Sequence, residues 1–470
     1  MANTTTSTVA FSILSPDASL SYDRIKLRLE EYRTLLASDS DTIELSTENG
    51  KTVICRKKAN EMQKYLDQAE NLLRDVVQSR DISTLVVLHR LRDLADILDD
   101  LKLYDECRLT GNCALDLAEA LSRQSFEFRH EQAETLALIA GLSVYQPRAR
   151  TLLIHAVSIY EEVVANNASH SNENRLLVVL QRASDYASGH LRVEWLERAI
   201  QLMTKELPPT MVDPYLRSLI YNAYGISLHQ IKQYANAIEA YNAAISICRT
   251  AVDKNPANYG LSISLARNHT NVGIIHAELR NYGGAIAAYK EALEVCTTMS
   301  TQYPIEFNSE MAAILHKLGI VLGQSNQWSE AAVIERQAIA LIRNLAQAGN
   351  ERTEQLSRAL NNYGISCHSL GRLAEAVLAF QESILLQRTF AATDSEKENL
   401  GGTLHDVALC FRALSRYTEA NAAATEALEM NHGRVFEDCE YAPDFKSCSV
   451  CHIAMVIQSL GDGLLPLSFL

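Results

Sequence analysis

Apolar positions along this chain recur at helical spacing in short runs broken by polar turns. The run from Asn271 to Val295, NVGIIHAELRNYGGAIAAYKEALEV, shows the unit most clearly. Helical spacing places Val272, Ile275 and Leu279 on one face of a first helix, and Ala285, Tyr289 and Ala292 on one face of a second. Arg280 and Asn281 make the polar turn between them. A pair of helices this short cannot bury its apolar surface alone, so the unit requires neighbours on both sides.

The chain supplies those neighbours in register. A small residue near the middle of each first helix anchors the unit: Gly225, Gly273, Gly319, Gly364 and Ala408. Nine residues on stands a large residue, Tyr234, Tyr282, Trp328, Leu373 or Tyr417, expected to plug the end of the pair. Twelve on stand Ala237, Ala285, Ala331, Ala376 and Ala420; nineteen on stand Ala244, Ala292, Ala338, Ser383 and Ala427. The last two positions are two helical turns apart and share one face, where small side chains let the second helix lie close against the first. The pattern extends backward with less fidelity. Ala95 leads to Tyr104, Cys107 and Ala114, and Ala137 leads to Ala149 and Ala156 with Tyr145 one place early. Leu180 leads to Ala199, but its twelfth position is Arg192. Successive anchors are 42 to 48 residues apart. A period in that range predicts a helical array, and no strand pattern interrupts it.

Tyr224-Gly225, Val272-Gly273 and Leu318-Gly319, followed by Ala237-x3-Tyr241, Ala285-x3-Tyr289 and Ala376-x3-Phe380, resemble the tetratricopeptide repeat. The resemblance is close over 217–430 and loose over 85–216. The standard unit is ~34 residues; here the segment after the second helix is longer, with Pro256 and Pro304 at matching places before the next unit. The longer form resembles the repeats of kinesin light chains, of fungal repeat proteins and of the sensor arrays in nucleotide-switch immune-type proteins. What this implies is an all-α fold, a right-handed α-solenoid of about eight helix-turn-helix repeats.

Outside the array the chain divides into residues 1–18, a Thr/Ser-rich tail expected to be disordered, and 19–84, an N-terminal helical cap containing a loop or hairpin. Ser21–Ala37 and Lys57–Arg80 read as helices, and Asn49-Gly50 between two β-prone runs is a hairpin signal. Gly50-Lys51-Thr52 also ends like a phosphate-binding loop, but that loop needs a glycine where Leu45 stands, so the turn is the better reading. Residues 85–216 form the divergent repeats, 217–432 the clear ones and 433–470 an irregular tail with an apolar tip.

Composition narrows the chemistry. A net charge of −14, spread along the chain, argues against nucleic acid as the main partner. No apolar run is long enough for a membrane span, and the start lacks a secretory pattern. Ten Cys scattered over a long helical chain, most at helix-face positions, suit reduced thiols in the cytoplasm. Cys448-Ser449-Val450-Cys451-His452 has the spacing of a c-type haem attachment site, and Cys439, Cys448, Cys451 and His452 or His432 offer zinc ligands. The haem needs an oxidising compartment and the zinc spacing is irregular, so ordinary thiols, with no cofactor or metal, are the expectation. Cys367-His368 is adjacent on a helix and so points two ways, and its sister unit has Leu228-His229. No Gly-x-Ser-x-Gly or His-Glu-x-x-His motif occurs, and no enzyme is expected.

What remains is a surface. The residues just before each anchor are rich in amides and bases: Asn222, Arg267, Asn271, His316, Lys317, Arg358, Asn361 and Asn362, with Arg412 one turn beyond Ala408. In the tetratricopeptide family the first helices line a concave wall. Members that clamp peptide carboxylates use an Asn two before the small residue and a base six before it. Asn271 and Asn362 match the first position and Arg267 and Arg358 the second; Lys317 replaces Asn in its unit, and Ala223 and Asp406 break the pattern. The resemblance therefore implies a scaffold or adaptor, without catalysis, that takes an extended or acidic peptide segment in a groove over 217–413. Two other readings stand beside it: a regulatory sensor array related to nucleotide-switch receptors, and a metal protein acting through its C-terminal Cys/His cluster. Self-association through the apolar tail is a further expectation.

Overall fold

The computed structural model describes residues 84–207, 212–347 and 353–430, two strands before them and a few helical residues among 25–30 and 67–71. The expectations for the N-terminal tail, for most of the cap helices and for the Cys/His-bearing tail after 430 lie outside the described residues. The hairpin is present. β1 (Thr42–Thr47) and β2 (Gly50–Cys55) pair antiparallel, with Thr47 opposite Gly50. Gly50-Lys51-Thr52 thus opens a strand rather than leading into a helix.

From residue 84 onward the described residues are helical, and chain neighbours pack in adjacent pairs. They fall into two compact units that divide after Gln233. The first unit holds α1 (Thr84–Asp100), α2 (Tyr104–Gln124), α3 (Arg129–Gly141), α4 (Gln146–Asn166), α5 (His170–Tyr186), α6 (Gly189–Gln201) and α7 (Pro214–Gln230). Its core joins Leu94, Ala95, Leu98, Cys107, Ala137, Ala149, Ala156, Tyr160, Leu177 and Leu196, and Ile25 and Leu29 are buried in it.

The second unit holds α8 (Tyr234–Lys254), α9 (Tyr259–Glu278), α10 (Tyr282–Met299), α11 (Pro304–Gln324), α12 (Trp328–Gln347), α13 (Thr353–Ser369), α14 (Leu373–Gln387), α15 (Asp394–Ala413) and α16 (Tyr417–Met430). The alternation of anchors and small residues explains how it packs. The small residues twelve and nineteen beyond the anchors are all buried, from Ala237 and Ala244 to Ala420 and Ala427. At Gly273 an added Cβ would stand 2.6 Å from the Tyr289 ring, and at Gly364 it would stand 2.6 Å from Phe380. The glycine is what lets the aromatic of Ala-x3-aromatic lie flat on the first helix.

Two expectations change in detail. Leu279 is 50% exposed, because the buried face of α9 ends at Ile275 and Leu279 already belongs to the turn. The large residues at the ninth position cover the end of the pair only in part: Tyr282 packs against the core and the Trp328 ring lies over Gly323. Each is the first residue of a second helix, most are half-buried, and Tyr417 is 61% exposed.

Six of the turns inside pairs share one geometry; the connections from α3 to α4 and from α5 to α6 lack it. Lys102, Lys232, Arg280, Asn326, Gly371 and Ser415, each seven residues past its anchor, have φ between 56° and 74°. Each left-handed residue donates its N–H three residues back, and the next residue donates five back, as in Arg280 to Ala277 and Asn281 to His276, 2.9 and 2.8 Å. This Schellman arrangement satisfies the last carbonyls of the first helix and sends the chain back along it.

Candidate functional site

Within the second unit the first helices α9, α11, α13 and α15 touch one another in sequence as well as their own partners. They form a continuous row, and their polar residues stand along it. α9 carries Arg267 and Asn271, α11 His316 and Lys317, α13 Arg358, Asn361 and Asn362, and α15 Arg412. Asn222 lies on α7 in the first unit, half-buried.

The bases are not equivalent. Arg267 is exposed and bonds Glu310 on α11 through Nε, at 2.9 Å, and through Nη2. Arg358 is exposed too and pairs with Glu354 one turn back on its own helix, at 2.5 Å. Arg267 is thereby tied across two helices, whereas Arg358 is held within one. Lys317 and Asn271 are half-buried. Asn361 Oδ1 and Arg412 Nη1 are buried atoms without a hydrogen-bond partner.

His316 and Asn362 meet. Asn362 Nδ2 lies 3.4 Å from His316 Nδ1 and 3.5 Å from Glu335 Oε1, and His316 Nδ1 is 3.7 Å from Glu335 Oε2. Glu335, on α12, is fully buried. Burial pushes its carboxyl above the usual range, while hydrogen bonding to His316 pulls the other way. It occupies the aromatic place of its unit: Ala331-x3-Glu335 stands in register with Ala285-x3-Tyr289 and Ala376-x3-Phe380. The Glu335 side chain lies across Gly319, where an added Cβ would fall 2.2 Å from Oε1. The register was visible in the sequence, but an aromatic pattern has no term for a carboxylate.

A second polar cluster lies in the first unit. Arg92 of α1 donates to Glu131 Oε2 at 2.8 Å and to Thr135 Oγ1, both on α3, and His89 Nε2 is 3.1 Å from the same carboxylate. The hydrogen bond to His130 and the Arg92 charge outweigh burial and hold Glu131 down to about 2. All its members are mutually paired, which is the pattern of a cross-repeat tie. Cys367 is buried and free, its thiol pushed up chiefly by burial, which removes nucleophilic character from the Cys367-His368 pair. Cys107, Cys248, Cys296 and Cys410 are likewise buried and in no disulfide. Among the described residues no three His, Cys, Asp or Glu side chains gather as metal ligands, and no helix is long and apolar enough to cross a membrane.

Residues 219–250 match the family model described as a tetratricopeptide repeat. The chain therefore carries a tetratricopeptide repeat over α7 and α8, a helix-turn-helix unit whose general role is protein interaction. No curated protein sequence matches the chain. Among solved structures, it is similar to BtubC (BKLC) from P. vanneervenii at 18% identity, covering 60% of this chain and 91% of that one, with a TM-score of 0.35. It is similar to the apo form of RapI at 13% identity, covering 71% and 86%, with a TM-score of 0.46. It is also similar to a Podosopora anserina putative kinesin light chain with nearly identical TPR-like repeats, at 15% identity, covering 46% and 96%, with a TM-score of 0.36.

Proposed function

We propose that this protein is a scaffold or adaptor without catalysis of its own, and that its second unit takes an extended, acidic segment of another protein along the row α9, α11, α13 and α15. The observation that supports this reading is the repetition itself. An amide or a base stands two before the anchor in α9, α11 and α13, an Arg stands six before it in α9 and α13, and those helices touch in order. An extended peptide has a donor and an acceptor at each residue, so amides at repeat spacing can bind its backbone while Arg and Lys meet its carboxylates. Arg267 and Arg358 start from ion pairs with Glu310 and Glu354, so an incoming carboxylate exchanges one acidic partner for another. Such exchange favours selectivity over raw affinity. The buried free thiols suit a reducing compartment, and we place the protein in the cytoplasm.

The test is a triple charge reversal, Arg267→Glu, Lys317→Glu and Arg358→Glu, in the full chain. Affinity capture with mass spectrometry from matched extracts should lose acidic-segment partners that the parent retains. Unchanged capture, with unchanged helicity by circular dichroism, refutes the groove.

A further inference from the structure

Leu378 and Leu385 are 68% and 64% exposed, more than any other large apolar side chain among the described residues. They stand on α14 seven residues apart, which is two turns, so they share one face. A lone exposed leucine is ordinary on a protein surface, but these two have apolar company. Ala374 is exposed beside them on α14, Val333 and Ala340 on α12, and Ala422 on α16. Counted from the anchors, Leu378 is at position fourteen and Leu385 at position twenty-one. Other units carry the exposed Glu239 and Glu294 at those positions, so the repeat itself does not require leucine there. α12 and α16 flank α14 on opposite sides. Glu382 takes Arg343 of α12 and Arg388 reaches Glu426 of α16. The two point about 120° apart on α14 with the leucines between them. Each flank has one exposed charge outside such pairs, Arg336 on α12 and Glu429 on α16, with no hydrogen bond or ion pair among the described residues.

We propose that two copies of the chain meet on this face, α14 against α14 in parallel, about a two-fold axis that runs along the helices. An isologous contact needs a surface complementary to itself. With the axis along α14, Leu378 and Leu385 of one protomer meet the same residues of its partner. α12 of each copy then lies over α16 of the other, and Arg336 faces the partner's Glu429, twice by symmetry. Their places along the helices differ by four residues, about 6 Å, which two long side chains span. With the axis across α14, each flank would lie over itself and Arg336 would meet Arg336. Charge therefore selects the parallel arrangement. The leucines exclude water at the centre, and the ion pairs fix the register at the rim. The contact uses second helices alone, so the row of first helices stays open in both copies and neither proposal depends on the other.

A patch confined to three helices is small for an interface, so micromolar association is the expected strength. Sedimentation equilibrium on the full chain, from about 1 to 100 µM, should show a reversible shift from the 52.2 kDa chain toward twice that mass. Leu378→Glu and Leu385→Glu each place a residue that a sister unit already carries at that position. Both should hold the chain at one mass throughout, with unchanged circular dichroism. Arg336→Glu alone, or Glu429→Arg alone, should weaken dimerisation roughly two- to thirtyfold, because symmetry removes two exposed pairs at once. The two substitutions together should restore it. A parent chain that stays single over the whole range overturns the proposal. So does a dimer that survives both leucine variants, which assigns self-association to another surface such as the C-terminal tail. A charge swap that fails to restore affinity overturns the parallel arrangement. No groove residue changes in these variants, so this test and the groove's charge reversal fail independently.

Discussion

Arg343 Nη2 donates to both carboxylate oxygens of Glu382, at 2.6 and 2.7 Å, from α12 to α14. Counted from the anchors, Arg343 is at position twenty-four of one unit and Glu382 at position eighteen of the next. The same two positions pair Arg249 with Glu291 and Arg388 with Glu426, and in the first unit they pair Glu161 with Arg198, with the charges exchanged. At these four steps second helices are pinned to each other at one register, and the charge order is free.

That freedom is testable by a double-mutant cycle. Glu382→Arg alone should destabilise by about 0.2–1 kcal/mol, since exposed pairs are worth that much and like charges now face each other. Adding Arg343→Glu should restore most of the loss in urea unfolding. The step from α10 to α12 has Thr297 and Gln337 at these positions and no pair. Thr297→Arg with Gln337→Glu should gain a similar amount, and more at low salt.

The left-handed turns give a second set. Among the described residues of this geometry only Gly371 is a glycine; Lys102, Lys232, Arg280, Asn326 and Ser415 carry side chains. A non-glycine residue there costs roughly 1–2 kcal/mol, less for Asn, partly offset by glycine's unfolded-state entropy. Lys232→Gly, Arg280→Gly and Ser415→Gly should each stabilise by about 0.5–1 kcal/mol, and Gly371→Ala should cost about 1 kcal/mol or more. Thermal and urea unfolding measure both.

These turns also show how far the residues disclose the structure. Anchors and small positions are legible because packing a helix at close range demands Gly, Ala or Ser, and no other composition meets that demand. The left-handed residue is not legible, since five of these six are ordinary residues held by two backbone hydrogen bonds rather than by their own preference. The Arg267–Glu310 pair joins residues 43 apart, so Arg267 alone reads as a free base. Glu335 escapes a search for aromatics while obeying the register.

Glycines separate packing from helix propensity. Gly273→Ala and Gly364→Ala should destabilise by about 1–3 kcal/mol through overpacking on Tyr289 and Phe380, despite alanine's better propensity. Gly283→Ala and Gly402→Ala, whose added Cβ meets nothing within 4 Å, should instead gain roughly 0.5–1 kcal/mol. Four unfolding curves decide it.

The first unit should weaken in acid through Glu131. Its folded value lies near 2, below the ordinary 4.5, so the stability it supplies is present above about 4.5 and is lost as pH falls toward 2. The stability difference between the parent and Glu131→Gln should shrink across that interval in urea unfolding. A constant difference means that the carboxylate contributes by packing alone.

The count inside each pair is constant, nine residues from anchor to the start of the second helix. Variation in length falls elsewhere, in first and second helices that both run from 13 to 21 residues and in the joints between pairs. Each joint is therefore a seam. A block duplicated or removed from seam to seam would lengthen or shorten the row of first helices by one step and leave every internal turn as it was, so that the reach of this surface can change by whole units while its chemistry is conserved.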